Sequence, residues 1–187
     1  MIIKNGMIHD AIHAEAYAAD IALRDGKIAA IGTDLAPLAG EEIYDAAGKQ
    51  VYPGLVESHC HIGMHGYGVG RESNDVNEGS DAVGAQFRAI DGFYPQDRGI
   101  RKALEGGVTT ICVGPGSGNV ITGQFAALKT HGSCVDDMIV KFPAAVKVAF
   151  GQNPKNDGKP VNILQNALPL TPALKHRLTA GLFITIY

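Results

Sequence analysis

Apolar positions in the first fifty residues come in short runs separated by turn residues. Ile2-Ile3 and Met7-Ile8 flank Asn5-Gly6, and Ile21-Ala22-Leu23 and Lys27-Ile28-Ala29-Ala30-Ile31 flank Asp25-Gly26. Ile43-Tyr44 and Val51-Tyr52 flank Ala47-Gly48 in the same manner. Asn-Gly and Asp-Gly accept positive φ at both centres of a two-residue turn, so the pattern predicts hairpins. Residues 1–52 therefore read as a small antiparallel sheet, which by itself buries little apolar surface. His9 and His13 fall in this segment as solvated surface histidines.

The pattern then changes. Leu55-Val56-Glu57-Ser58-His59-Cys60-His61 follows Pro53-Gly54 and precedes Gly63, and a short apolar run bounded by turn residues reads as a buried strand. Residues 62 to about 95 show no periodicity and predict a long loop, from which His65 and Arg71 are placed to reach a substrate. Ordinary loop polarity is the competing account of both. Asp97 to Gly106 predicts a short helix carrying Ile100, Ala103 and Leu104, with Gly106 as its cap. Val108-Thr109-Thr110-Ile111-Cys112-Val113 is a β-branched strand, the second of an α/β alternation. Gly114-Pro115-Gly116-Ser117-Gly118 follows it, but neither a complete Gly-x-Gly-x-x-Gly nor a Gly-Lys-Ser/Thr appears, so a loop beside the strand ends is a better account than a phosphate cradle. Ile139-Val140 and Ala144 to Phe150 are apolar, with Lys147 embedded where an unpaired ammonium is expensive. Past about Asn156 the pattern fades through Asn162–Leu170 and Ala173–Leu178. His176, in Leu174-Lys175-His176-Arg177, reads as part of an amphipathic helix face. The last six residues, Leu182 to Tyr187, are strand-like, uncharged and of aggregation-prone composition.

Composition narrows the function classes. Over 187 residues, 45% are hydrophobic and 19% charged, and the net charge is −3 with basic residues scattered, so nothing points to nucleic acid or an acidic membrane. The three cysteines, Cys60, Cys112 and Cys134, are an odd number without metal-binding spacing. Two of them sit in apolar runs, which favours a reducing compartment. Lys4 interrupts the start before any apolar leader forms, and no apolar run reaches about 18 residues. The expected location is cytoplasmic.

Candidate chemistry gathers at residues 59–61. On a strand, residues i and i+2 share a face, so His59 and His61 project side by side while Cys60 points the other way. Two neutral imidazoles on one face offer ring nitrogens to a single ion, most naturally zinc, at ~2.0–2.1 Å. Two polar residues closing a strand give the same text.

Pro53 to His61, together with Glu105-Gly106-Gly107-Val108-Thr109-Thr110 and Asn119-Val120-Ile121-Thr122-Gly123-Gln124, resembles the opening of the metal-dependent amidohydrolase superfamily, in its imidazolonepropionase-like branch. The resemblance runs over residues 1 to about 155. It implies an α/β fold: a small antiparallel β-sandwich half over 1–52, the first βα units of a (β/α)8 TIM-like barrel over 53–155, and an atypical tail over 156–187. Because such a barrel takes about 250 residues, an incomplete barrel is expected, from a truncated or frame-shifted product. The resemblance further implies metal ligation by His59 and His61, with Lys147 as a carbamylated lysine bridging two metals. Lys141 is a second candidate for that role, and a lysine that snorkels to water is the competing reading. Catalytic acid–base residues and the remaining ligands are unidentified. Gly63 stands where the dihydroorotase pattern has an arginine, which disfavours that branch.

The implied activity is metal-dependent hydrolysis of C–N bonds other than ordinary peptide bonds, on a small-molecule amide or cyclic amide. The alternative is a non-catalytic remnant that at most binds metal or a partner. Neither nucleic acid nor membrane is expected as a partner, and an unclosed barrel predicts a homo-oligomer or an aggregation-prone chain.

Overall fold

The computed structural model describes residues 1–67, 70–78, 83–149, 153–154 and 182–185. The chain divides into two compact units, Met1–Pro53 and Gly54–Tyr187. Among the described residues no helix is long and apolar enough to cross a membrane.

The first unit is a five-stranded sheet of β1 (Ile2–Ile8), β2 (Tyr17–Arg24), β3 (Lys27–Gly32), β4 (Ile43–Asp45) and β5 (Gln50–Val51), ordered β3-β2-β1-β4 with β5 also on β1. Asp25-Gly26 makes the expected hairpin between β2 and β3, with both residues at positive φ (51° and 69°). The other two turn signals do something else. Asn5-Gly6 does not reverse the chain. Asn5 (φ 61°) forms a bulge inside β1, where Lys4 and Asn5 together oppose the single residue Asp20. Asp20 holds the bulge by accepting from the Asn5 amide (2.9 Å) and from Lys4 Nζ (2.6 Å). Ala47-Gly48 likewise joins no hairpin, because β4 and β5 both lie parallel to β1, one after the other. The sheet is therefore mixed rather than antiparallel. In both cases β1 offers pairing edges on its two sides, and those long-range ladders outweigh the local turn preference.

Glu41 clamps one end of this sheet. It accepts from Arg24 Nε (3.2 Å) and a second guanidinium nitrogen (3.3 Å), and from the Leu38 amide (2.8 Å). The Arg24 guanidinium and the Leu38 amide bring its carboxyl from 4.5 down to about 2, and Lys4 likewise lowers Asp20. A carboxylate whose folded pKa is depressed stabilises the fold above its unfolded value, and that contribution is lost as pH falls toward the folded value. The urea midpoint of the full chain is expected to fall steeply between pH 4.5 and about 2, and Glu41→Gln should flatten that slope. An unchanged slope in the variant would remove Glu41 from the account.

The second unit contains β6 (Leu55–Cys60), a 3-10 turn at Arg71–Ser73, α1 (Ala89–Gly92), α2 (Arg98–Glu105), β7 (Val108–Val113), β8 (Ile121–Lys129), α3 (Val135–Met138), β9 (Ile139–Ala149) and β10 (Leu182–Thr185). Its sheet runs β10-β9-β8-β7-β6. β6 and β7 are parallel, joined by a crossover that includes α2. The Asp97 carboxylate caps α2 by accepting from the Gly99 amide (2.6 Å), and Ile100 is its buried residue.

The strict α/β alternation stops after β7, since β8 runs antiparallel to both β7 and β9. Residues 114–120 are too few for a helical crossover, so the chain can only turn back on itself. β9 then points the same way as β6 and β7, and β10 pairs with it in parallel. The expected strand Leu182–Tyr187 is thus realised over Leu182–Thr185. The expectations for residues 162–178, including His176, lie outside the described residues.

β6, expected to be buried, is exposed over most of its length. Leu55 and Val56 are 58% and 68% exposed, as are Glu57 and Ser58 nearby. β6 is the edge of the sheet, and cover begins only at Cys60 and Ile62, which pack on the cluster of Met64, Val76, Phe93, Ile100, Ile111 and Val113. Met64, Val76, Ala89 and Phe93, from the stretch expected to be a long loop, belong to that cluster, so the described residues of that stretch are partly packed.

Candidate metal centre

The site forms where β6, β7 and β9 end together. Cys60 pairs with Val113, and the Gly114 amide donates to the Cys60 carbonyl (3.3 Å), which sets His61 beside the start of the glycine loop. His59 and His61 project together, their ring centroids 5.5 Å apart and nearly perpendicular. Cys60 turns to the other face, into the core cluster, where burial lifts its thiol to about 11. It is thereby unsuited to ligation.

Lys147 arrives from β9, 88 residues beyond His59 in sequence, with its Nζ 3.0 Å from His59 Nε2. Its side chain is fully buried, whereas Lys141 on the same strand is exposed. Lys147 stands opposite Gly123 on β8, which has no side chain. Burial brings its ammonium down to about 8. Burial and the nearby Lys147 charge also push both imidazoles below their ordinary value. Neutral imidazole is the ligand form.

The donor chemistry fits a divalent ion. His61 Nδ1 lies 2.6 Å from the Gly114 carbonyl, which can only accept, so Nδ1 carries the proton and Nε2 the lone pair. His59 Nε2 faces Lys147 Nζ, and while that amine is an ammonium, which can only donate, Nε2 too presents a lone pair. Among the described residues no three His, Cys, Asp or Glu side chains converge on one point, so the assembled set is two imidazoles and a lysine.

His65 extends the row, exposed, with its ring centroid 5.9 Å from that of His61. Arg71 is exposed in the 3-10 turn. A cavity of about 180 Å³ lined by Met64, Asp75, Arg88, Asp91, Pro115 and Thr122 lies elsewhere and includes none of His59, His61 or Lys147. The glycine loop is buried, with the Gly116 amide donating to the Val76 carbonyl (2.8 Å) and the Gly118 amide to Asn77 Oδ1 (2.9 Å). Those amides are committed to the protein itself. Two contributors escaped the reading of the sequence. They are the Gly114 carbonyl and Phe125, whose ring meets His59 edge to face at 5.1 Å. The only local signals were a glycine after a strand and an aromatic in an apolar run.

Comparison with known proteins gives partial matches. The chain is 38% identical over 87 residues to the amidohydrolase tasK of Hapsidospora irregularis, covering 46% of this chain and 9% of that protein. It is 47% identical over 66 residues to an allantoinase of Escherichia coli O1:K1 / APEC, covering 35% of this chain and 14% of that enzyme. Among solved structures, an amidohydrolase from Thermotoga maritima MSB8 aligns with a TM-score of 0.79 at 39% identity, over 84% of this chain and 40% of that one. The chain thus spans less than half the length of each of these relatives. No protein-family model matches it.

Proposed function

We propose that this chain, which is similar to amidohydrolases over part of their length, carries the metal-binding end of a hydrolase acting on C–N bonds in small amides or cyclic amides, in the imidazolonepropionase-like branch. The observation that carries this reading is the meeting of His59, His61 and Lys147 across the sheet.

His59 and His61 would hold a zinc-like ion through Nε2. When bound, such an ion polarises a carbonyl and makes water nucleophilic near neutral pH. Lys147 would serve as an anionic ligand after its neutral amine adds CO2, forming an N–C bond and releasing one proton. Burial favours the neutral amine that this addition needs. His65, exposed beside His61, would meet the substrate, and Arg71 would do so only if it approached from its present place.

Gly63 argues against the dihydroorotase pattern. It sits at φ 85°, and a Cβ there would come 2.4 Å from the Phe93 ring, so the arginine of the dihydroorotase pattern has no room. The allantoinase relative keeps cyclic amides among the substrates to try.

One observation favours a second reading, in which this chain binds metal without turnover: among the described residues no group of three or more His, Cys, Asp and Glu side chains is placed to hold an ion. Zinc titration and a hydrolysis assay with allantoin and a linear amide, on one sample of the full chain, separate the two. Zinc-dependent turnover is the expected result for a hydrolase. Stoichiometric zinc without turnover supports the second reading, and absence of zinc binding ends both.

A further inference from the structure

We propose that Gly114 and Phe125 are positioning residues of the metal centre, the Gly114 carbonyl fixing the tautomer of His61 and the Phe125 ring fixing the His59 imidazole and excluding any side chain at position 114. This rests on the metal-site reading above and adds to it the part of the protein that aims the ligands.

A Cβ on Gly114 would lie 2.0, 2.2 and 2.4 Å from three ring atoms of Phe125, itself fully buried. The ring therefore occupies the space a side chain at position 114 would need, and the backbone of the loop lies directly against it. From there the same ring reaches His59 edge to face (centroids 5.1 Å) and lies 5.9 Å below Lys147 Nζ. One rigid aromatic thus abuts His59, Lys147 and the residue that holds His61.

The second element is the hydrogen bond. Gly114 donates through its amide to the Cys60 carbonyl and accepts through its carbonyl from His61 Nδ1 (2.6 Å). Residue 114 is thereby pinned to the strand end at Cys60 and at His61. A carbonyl accepts only, so the bond selects the Nδ1–H tautomer and leaves Nε2 as the coordinating atom. Partners of this kind on ligating histidines affect metal affinity by about 10–100-fold.

The test uses the full chain, with Gly114→Ala, Phe125→Leu and the double variant Gly114→Ala/Phe125→Ala, which removes the ring that the new methyl would strike. Two readouts are taken: the His61 tautomer from long-range ¹H–¹⁵N correlation spectra of the metal-free protein, and zinc affinity by competition with a chelator. The wild type should show His61 protonated at Nδ1. Gly114→Ala should mix the tautomers and weaken zinc by about 10–100-fold, and the double variant should recover the Nδ1–H signal. Phe125→Leu keeps the apolar volume, and should weaken zinc without shifting the tautomer. The tautomer readout keeps this inference separate from the metal reading: a wild type that binds no zinc but shows Nδ1–H, lost in Gly114→Ala and regained in the double variant, refutes the metal site and upholds the positioning. An Nε2–H tautomer in the wild type, or a folded Gly114→Ala that retains both signal and affinity, overturns the proposal.

Discussion

Replacing His59 and His61 together with alanine is expected to reduce zinc affinity by about 10⁴-fold, while Cys60→Ser leaves it nearly intact. The magnitude follows from sharing ~10–16 kcal/mol of zinc binding among four ligands, or about 3 kcal/mol each, so that two ligands amount to roughly 6 kcal/mol. The asymmetry follows from geometry. The two imidazoles stand side by side at the strand end, with both Nε2 atoms bearing lone pairs. Cys60 faces the core on the opposite side, where burial keeps it a thiol. Isothermal titration with zinc chloride checks this, with circular dichroism confirming that each variant is folded. Equal loss from Cys60→Ser would show that the pair does not bind as described.

The second large effect belongs to Lys147, for which stability and function are expected to diverge. A fully buried lysine bears the cost of desolvating an ammonium. Its hydrogen bond to His59 offsets only part of that, because a net intramolecular hydrogen bond contributes about 1 kcal/mol. Methionine fills nearly the same volume without the charge. Lys147→Met is therefore expected to raise the stability of the metal-free chain by ~1–3 kcal/mol, seen as a higher urea midpoint at neutral pH. The same variant should bind at most one zinc. In the wild type, bicarbonate should add one labile CO2 by mass spectrometry, and that addition should be absent from Lys147→Met. A lower midpoint in the variant would make the lysine a structural donor. Unchanged zinc stoichiometry would remove it from the ligand set. Residues that cost stability and serve a site are where such trade-offs are found.

Parts of this protein were legible from a few consecutive residues. The Asp25-Gly26 hairpin, the helix closed by Gly106 and the strand that brings His59 and His61 to its end each depend on local φ preference, a cap or an i, i+2 period. Such signals act over one turn or one pleat, so neighbouring residues suffice to specify them. The same kind of signal misled at Asn5-Gly6 and Ala47-Gly48, where β1 acquired partners on both sides and kept its direction.

The sequence alone determined which residue types stand ready for metal chemistry, and that His59 and His61 share a face while Cys60 does not. Tertiary structure decided which partners they meet. Whether Lys147 or Lys141 reaches the histidines depends on the register of β9 against β8, which sets Lys147 over Gly123 and leaves Lys141 in solvent. Likewise the antiparallel return of β8 brings Phe125 against Gly114 and His59. Register and strand order are collective: they follow from burying many apolar side chains at once, so no short stretch of sequence encodes them.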